Sequence, residues 1–125
     1  MFLAKVGEQD IRSLGLRIME TLVSLIRAEN FVREVIGEKK PVLLLCMPRD
    51  DEFLKQLKVI EDIATEYRQK LKVGILEEGL IEAFKKNYSV VGTPTFLLLL
   101  EGKERARMLG LADHRMLTNL ISQSY

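Results

Sequence analysis

The chain has 125 residues, 47% hydrophobic and 30% charged, which is typical of a single globular domain. Its 19 basic and 18 acidic residues leave a net charge of +1, which excludes a general electrostatic affinity for nucleic acid or an acidic membrane. The sequence has no apolar run of about eighteen residues, so no membrane span is expected, and no signal peptide is evident at the start.

Cysteine and histidine each occur once, as Cys46 and His114. A single cysteine cannot form an internal disulfide. One cysteine and one histidine are also too few ligands for an ordinary transition-metal site. We therefore expect no metal and no cofactor. The expected compartment is the reducing cytoplasm, where free cysteines are usual.

Residues 1–20 are interpreted as an extension that precedes the domain of residues 21–125. Asp10 is a candidate cap for a helix that runs to about Glu20, although Gly15 weakens this helix. The segment is too apolar for a solvated tail. We expect it to pack on its own chain, with a homodimer through residues 1–20 as the alternative.

From residue 21 onward, apolar segments alternate with amphipathic ones. The segment "PVLLLCM" (41–47) has no polar alternation, which is typical of a strand buried on both faces of a parallel sheet. For residues 21–26, a continuous helix from Asp10 is an open alternative to a strand. The predicted strands are 21–26, 41–47, 71–76, 95–100 and 104–110, and the predicted helices are 28–37, a long one after 50, 79–88 and 112–123.

The long helix after the second strand is expected to begin with Asp50 or Asp51 as its cap. One apolar stripe runs along this helix at steps of three and four residues. Acidic residues at this start would repel a phosphate, so no anion site is expected. The stripe consists of Phe53, Leu57, Ile60, Ala64 and Tyr67.

The resulting order, β-α-β-α-β-α-β-β-α, predicts an α/β fold whose first three strands are parallel. The last two strands are close enough to form a hairpin, with its turn at Glu101-Gly102-Lys103. We therefore expect a three-layer α/β/α arrangement around a central mixed sheet.

Three segments within this order resemble the thioredoxin family. They are "KKPVLLLCMP" (39–48), "KNYSVVGTPTFLLLLEGKE" (86–104) and "MLGLADHRMLTNLI" (108–121), and the likeness covers roughly residues 21 to 124. The resemblance implies a thioredoxin-like fold with an N-terminal helical extension. It also implies a cis bond between Thr93 and Pro94, facing the loop after residues 41–47, where backbone groups can pair with an extended peptide.

The sequence departs from this family at the catalytic positions. The family's Cys-Gly-Pro-Cys motif falls on "DEFL" (51–54), and the preceding tryptophan falls on Asp50. Its buried aspartate falls on Leu45, and the lysine that accompanies it falls on Ile75. Disulfide exchange needs a thiolate and a resolving thiol. We therefore do not expect an enzyme.

The expected function is a redox-inactive, protein-binding module, an adaptor or chaperone-like subunit that holds an extended peptide. Nucleic-acid and membrane partners are not expected. One alternative is a lone-thiol redox protein or sensor that acts through Cys46, although a buried structural cysteine is the favoured interpretation. A second alternative is a structural subunit held through residues 1–20. The expected groove is lined by Met47, Pro48, Arg49, Asp50, Val91, Gly92, Thr93 and Pro94.

Overall fold

A computed structural model describes residues 22–124 of the chain. The helix expected between Asp10 and Glu20, and the roles given to residues 1–20, lie outside the described residues. None of the helices in the described part is long and apolar enough to cross a membrane.

Five strands form one mixed sheet in the order β1-β3-β2-β4-β5. Strands β1, β3 and β2 are parallel, β4 runs antiparallel to β2, and β5 runs antiparallel to β4. The predicted α/β class and mixed sheet are therefore confirmed, and a continuous helix through the first strand is wrong. The strands are β1 (Val23–Ile26), β2 (Val42–Cys46), β3 (Lys72–Leu76), β4 (Thr95–Leu100) and β5 (Lys103–Leu109).

Within residues 22–124, three α-helices accompany the sheet: α1 (Phe53–Glu66), α2 (Ile81–Tyr88) and α3 (His114–Gln123). A short 3₁₀ turn, Glu78–Leu80, precedes α2. Helix α3 is capped by the Asp113 side chain, which accepts a hydrogen bond of 2.9 Å from the Met116 N–H.

The connection from β1 to β2 is not the single regular helix that was expected for residues 28–37. It consists of a 3₁₀ turn, Ala28–Asn30, and a wide π-type turn, Val32–Ile36. The Asn30 side chain accepts from the Arg27 N–H at 2.8 Å and donates to the Leu25 carbonyl at 3.1 Å. Such local bonds compete with a continuous helix and tie this segment to the end of β1.

The start of α1 also differs from the expectation. Neither Asp50 nor Asp51 caps the helix, because α1 follows Glu52, which has helical backbone angles and no side-chain capping bond. The Asp50 carboxylate instead accepts a hydrogen bond from the Glu52 N–H at 3.0 Å. The main-chain carbonyl of Asp50 accepts another from the Phe53 N–H at 3.1 Å. Asp50 therefore closes a turn just ahead of the helix.

Strand β2 is buried along its whole length, as its apolar run predicts. Leu43 and Leu45 pack on one face of the sheet, against α1 and α3. Leu44 and Cys46 pack on the other face, in a cluster that includes Phe84 of α2. Helices or turns thus cover both faces, an arrangement compatible with three layers.

The predicted stripe of α1 is confirmed, since Ile60 and Ala64 are buried and Phe53, Leu57 and Tyr67 pack beside them.

A partly buried ion cluster ties the β1–β2 connection to the start of β3. The Lys72 ammonium donates to both the side chain and the main-chain carbonyl of Glu34, and it lies 3.7 Å from the Glu38 carboxylate. The bond to Lys72 lowers the pKa of Glu34, and this effect outweighs burial, which would raise it. The charged form of Glu34 therefore stabilises the fold.

This cluster predicts a pH-dependent contribution to stability. Because the pKa of Glu34 is lowered from about 4.5 by folding, its contribution is complete above that value and is lost as the pH falls through the folded pKa. Glu34→Gln should be less stable than wild type at neutral pH, and the difference should shrink in acid. Urea unfolding at about pH 7 and about pH 3.5 measures this difference in unfolding free energy. A difference of the same size at both pH values, or an equal effect of Glu29→Gln on the exposed surface, would contradict the prediction.

Candidate functional site

The two groups of expected groove residues lie in segments that leave the sheet at the same end. Cys46, the last residue of β2, pairs with Thr95, the first residue of the antiparallel strand β4. The chain beyond Cys46 and the chain before Thr95 therefore leave the sheet side by side. The Thr93–Pro94 peptide bond in the second of these segments is cis. We call this end of the sheet the site end.

Met47 does not line a groove at the site end. Its side chain is buried in the core between the sheet and the helices α1 and α3. Pro48 and Arg49 are partly exposed, and Asp50 is exposed. The accessible wall after β2 is therefore formed by residues 48–50 rather than by Met47.

Arg49 fixes the loop that follows β2. Its backbone N–H donates to the Glu78 carboxylate at 2.6 Å, and its guanidinium donates to the Met47 carbonyl at 3.1 Å. The guanidinium carbon also lies 4.4 Å from the centroid of the Phe53 ring. Burial lowers the pKa of Arg49, and the nearby charges of Glu78 and Glu77 oppose this shift. Arg49 therefore joins the ends of β2 and β3.

Apolar residues occupy the positions where the resembled family has its buried aspartate, the accompanying lysine and the second of its two active-site cysteines. Leu45 and Ile75 are register partners on the adjacent strands β2 and β3, so the two substitutions meet in space. Phe53 packs under Arg49, and Leu54 is 72% exposed in the first turn of α1. These residues offer neither a thiol nor a group that relays protons.

Cys46 lies just inside the core rather than at the surface. Its side chain is 0% exposed and packs in the cluster on the α2 face. Burial raises the pKa of the thiol to about 11, and the positive charge of Lys85 only partly opposes this shift. At neutral pH roughly one thiol in ten thousand would be ionised. Cys46 is therefore a small hydrophobic residue in this fold.

The opposite side of the site end carries exposed apolar side chains. Val91 is 85% exposed, Leu109 is 57% exposed and Leu111 is 49% exposed. Gly92 lies close to Leu109: a Cβ atom added to this glycine would be 3.5 Å from the Leu109 Cδ1. The Gly110 N–H donates to the Pro94 carbonyl at 2.8 Å, which joins the end of β5 to this segment. We call Val91, Leu109 and Leu111 the apolar wall.

Thr93 adds unpaired backbone groups beside the apolar wall. It is exposed, and within residues 22–124 no hydrogen bond engages its N–H or its carbonyl. The neighbouring Gly92 carbonyl accepts from the Thr95 hydroxyl at 2.6 Å, so the turn itself is held in place. Thr93 therefore presents one donor and one acceptor from a fixed backbone.

Gln56 holds the last part of the site end and was missed by the sequence analysis. Its buried side-chain amide donates to the Ala112 carbonyl at 3.0 Å and accepts from the Ala112 N–H at 2.9 Å. This paired bond attaches the β5–α3 connection to α1 and thereby positions Leu111. The available signal was a polar residue at a core-facing position of the α1 stripe. Leu109 and Leu111 were also missed, because a strand pattern does not show which ends stay exposed.

No known protein-family model matches this sequence, and no curated protein matches it significantly. Within residues 22–124, no three His, Cys, Asp or Glu side chains are grouped so that they could hold a metal ion. The groups that the site end presents are exposed apolar side chains, the Thr93 backbone and charged side chains.

The burial of Cys46 predicts slow reaction with a thiol reagent. In the folded chain the reaction with a disulfide reagent at about pH 8 should be at least about 100-fold slower than for an exposed thiol, because the buried thiol is neither accessible nor ionised. The matched control is Cys46→Ala/Ser122→Cys, which moves the single thiol to an exposed position of α3. The two proteins should react equally fast in denaturant. Equal rates in the folded state would contradict the assigned burial.

The paired bond of Gln56 predicts a large loss of stability on its removal. Gln56→Ala leaves the Ala112 N–H and carbonyl without partners in a buried place, which should cost about 1–3 kcal/mol of unfolding free energy. Urea denaturation measures this cost. Gln123→Ala, an exposed glutamine in α3, is the control and should change stability by less than about 0.5 kcal/mol. Equal effects of the two substitutions would show that the paired bond is unimportant.

Proposed function

We propose that this chain is a redox-inactive, thioredoxin-like protein-binding module that holds an extended segment of another protein at the site end. The observation that carries the proposal is the apolar wall beside the unpaired backbone of Thr93. An extended peptide needs both features, because its main chain requires hydrogen-bonding partners and its side chains require apolar surface.

The strand order supports the thioredoxin-like part of the proposal. The segments that resemble thioredoxins by sequence supply β2, the β4–β5 hairpin, and β5 with α3. The order β1-β3-β2-β4-β5, with three parallel strands followed by a hairpin, agrees with what that resemblance implies. The segments that would form the family's active site converge at the site end.

The chemistry of the site end favours binding over catalysis. The lone-thiol alternative requires an accessible, ionised Cys46, whereas the thiol is buried and its pKa is raised to about 11. A buried, un-ionised thiol is a poor nucleophile towards a partner's disulfide. We therefore propose an adaptor or chaperone-like subunit, at work in a reducing compartment such as the cytoplasm.

Binding would combine two modest contributions. Hydrogen bonds to the Thr93 N–H and carbonyl each contribute about 0.5–1.5 kcal/mol and set the register of the peptide. Covering Val91, Leu109 and Leu111 adds roughly 25 cal/mol for each Å² of apolar surface buried. Such an interaction is selective for extended, apolar segments but is weak enough to release them.

Peptide display tests this function. Peptides selected on the folded chain should bind wild type measurably in fluorescence anisotropy. Val91→Asp should weaken that binding at least about tenfold, the equivalent of about 1.4 kcal/mol, because it places a charge in the apolar wall. Val32→Asp, which changes an exposed valine of the β1–β2 connection, is the matched control and should bind as wild type does. Selection of no peptide, or equal losses in both variants, would refute the proposed site.

An insulin-reduction assay tests the absence of dithiol chemistry. With a dithiol reductant, the rate in the presence of the protein should equal the rate without it, because the chain has one cysteine and that residue is buried. Turnover above the control that Cys46→Ser abolishes would instead favour the lone-thiol alternative.

A further inference from the structure

The side of the site end opposite the apolar wall is acidic. Three carboxylates follow β2, and two more follow β3, the strand that pairs with β2 on the side away from β4. We call these residues the acidic rim. They are Asp50, Asp51, Glu52, Glu77 and Glu78.

Part of this charge is already paired within the chain. The Glu78 carboxylate accepts from the Arg49 N–H, and the Glu52 carboxylate lies 3.8 Å from the Lys55 ammonium. Within residues 22–124, the side chains of Asp51 and Glu77 make no hydrogen bond and no ion pair of their own. Glu77 is nevertheless near enough to Arg49 for its charge to oppose the lowering of the Arg49 pKa by burial. The five carboxylates of the acidic rim are thus accompanied by two cations, Arg49 and Lys55, which leaves an excess of negative charge.

The excess of negative charge is local. The whole chain carries a net charge of +1, so the acidic rim reflects a separation of charge within a nearly neutral molecule. Nearby Arg27, at the end of β1, lies 3.8 Å from Glu29, so this pair adds little net charge. A rim of one sign beside an apolar surface favours a partner of the opposite sign.

We infer that the occupant of the site end is an extended peptide in which an apolar residue is followed or preceded closely by lysine or arginine. This inference rests on the proposed function and adds the charge of the partner. The apolar residue contacts the apolar wall beside Thr93, and the basic residue reaches Asp51 and Glu77.

The spacing follows from the geometry of the sheet. Adjacent strands lie about 4.8 Å apart, so the ends of β4 and β3, with β2 between them, are separated by roughly 10 Å. An extended peptide advances about 3.3 Å per residue. The basic residue therefore lies about three positions from an apolar residue beside Thr93, and about four from one at Leu109, which ends β5 one strand further away. The long side chains of lysine and arginine also help to span this distance.

Three labelled peptides with one apolar core test the charge preference. The probes are Lys-Lys-Gly-Val-Leu-Val-Ser, Gln-Gln-Gly-Val-Leu-Val-Ser and Glu-Glu-Gly-Val-Leu-Val-Ser, measured by fluorescence anisotropy on the full chain. The basic peptide should bind about fivefold or more tighter than the neutral one, and the acidic peptide more weakly than both. Raising the salt from about 50 mM to about 300 mM should reduce the preference, because exposed charges are screened.

Neutral variants locate the effect. Asp51→Asn/Glu77→Gln should lower the affinity for the basic peptide about threefold to tenfold and leave that for the neutral peptide unchanged. The matched control, Asp62→Asn/Glu101→Gln, removes the same charge from exposed positions elsewhere and should change either affinity less than about twofold. The salt dependence of wild type tests the charge preference itself without any substitution.

The outcomes separate this inference from the proposed function. Equal affinity for the three peptides, or equal effects of the two double variants, would overturn the basic partner while peptide binding stands. Binding of none of the peptides, together with failure of the display experiment, would overturn both. Concentration-dependent self-association that Asp51→Asn/Glu77→Gln abolishes would also overturn the inference, because a second copy would then be the occupant.

Discussion

Strand β2 and its antiparallel pairing with β4 are the constraint on which the rest of the structure depends. Every residue of β2 is buried, with alternate side chains in the cores of the two faces. The register that places Cys46 opposite Thr95 then determines which loops meet beyond the sheet. A shift by one residue would exchange the two faces of β2 and change which residues lie opposite each other at the site end.

The same constraint places Leu45 and Cys46 in apolar surroundings. Leu45 and Ile75 are register partners on β2 and β3, so both of these adjacent positions are aliphatic. Cys46 points into the α2-side core, where desolvation keeps the thiol protonated. These residues add to apolar packing. At the site end, the proposed function relies on the exposed Thr93 backbone and the apolar wall.

The fold was predictable because its signals are local and repeated. The apolar run 41–47 indicated a doubly buried strand, and the stripe through Ile60 and Ala64 indicated a helix on one face. The β1–β2 connection was mispredicted because the side-chain bonds of Asn30 override helical periodicity there. The helix cap was misplaced because Asp50 bonds within its own turn.

The candidate site was predictable only in part. That residues 48–50 and residues 91–94 lie at the same end of the sheet followed from the strand order. The burial of Met47, the bond between Gln56 and Ala112 and the exposure of Leu111 depend on contacts between residues far apart in sequence. A single sequence does not reveal such contacts. The spacing of apolar residues shows which face of a helix or strand is apolar, but not which other element packs against that face.

The central claim is that an extended segment of another protein lies against Thr93 and the apolar wall. The most direct measurement is an NMR experiment on the isotope-labelled chain with a bound, selected peptide, recording intermolecular contacts between protons. The account predicts contacts from the peptide to the Thr93 amide and to the methyl groups of Val91 and Leu109. Contacts confined to another surface, with these three residues unaffected by the bound peptide, would contradict it.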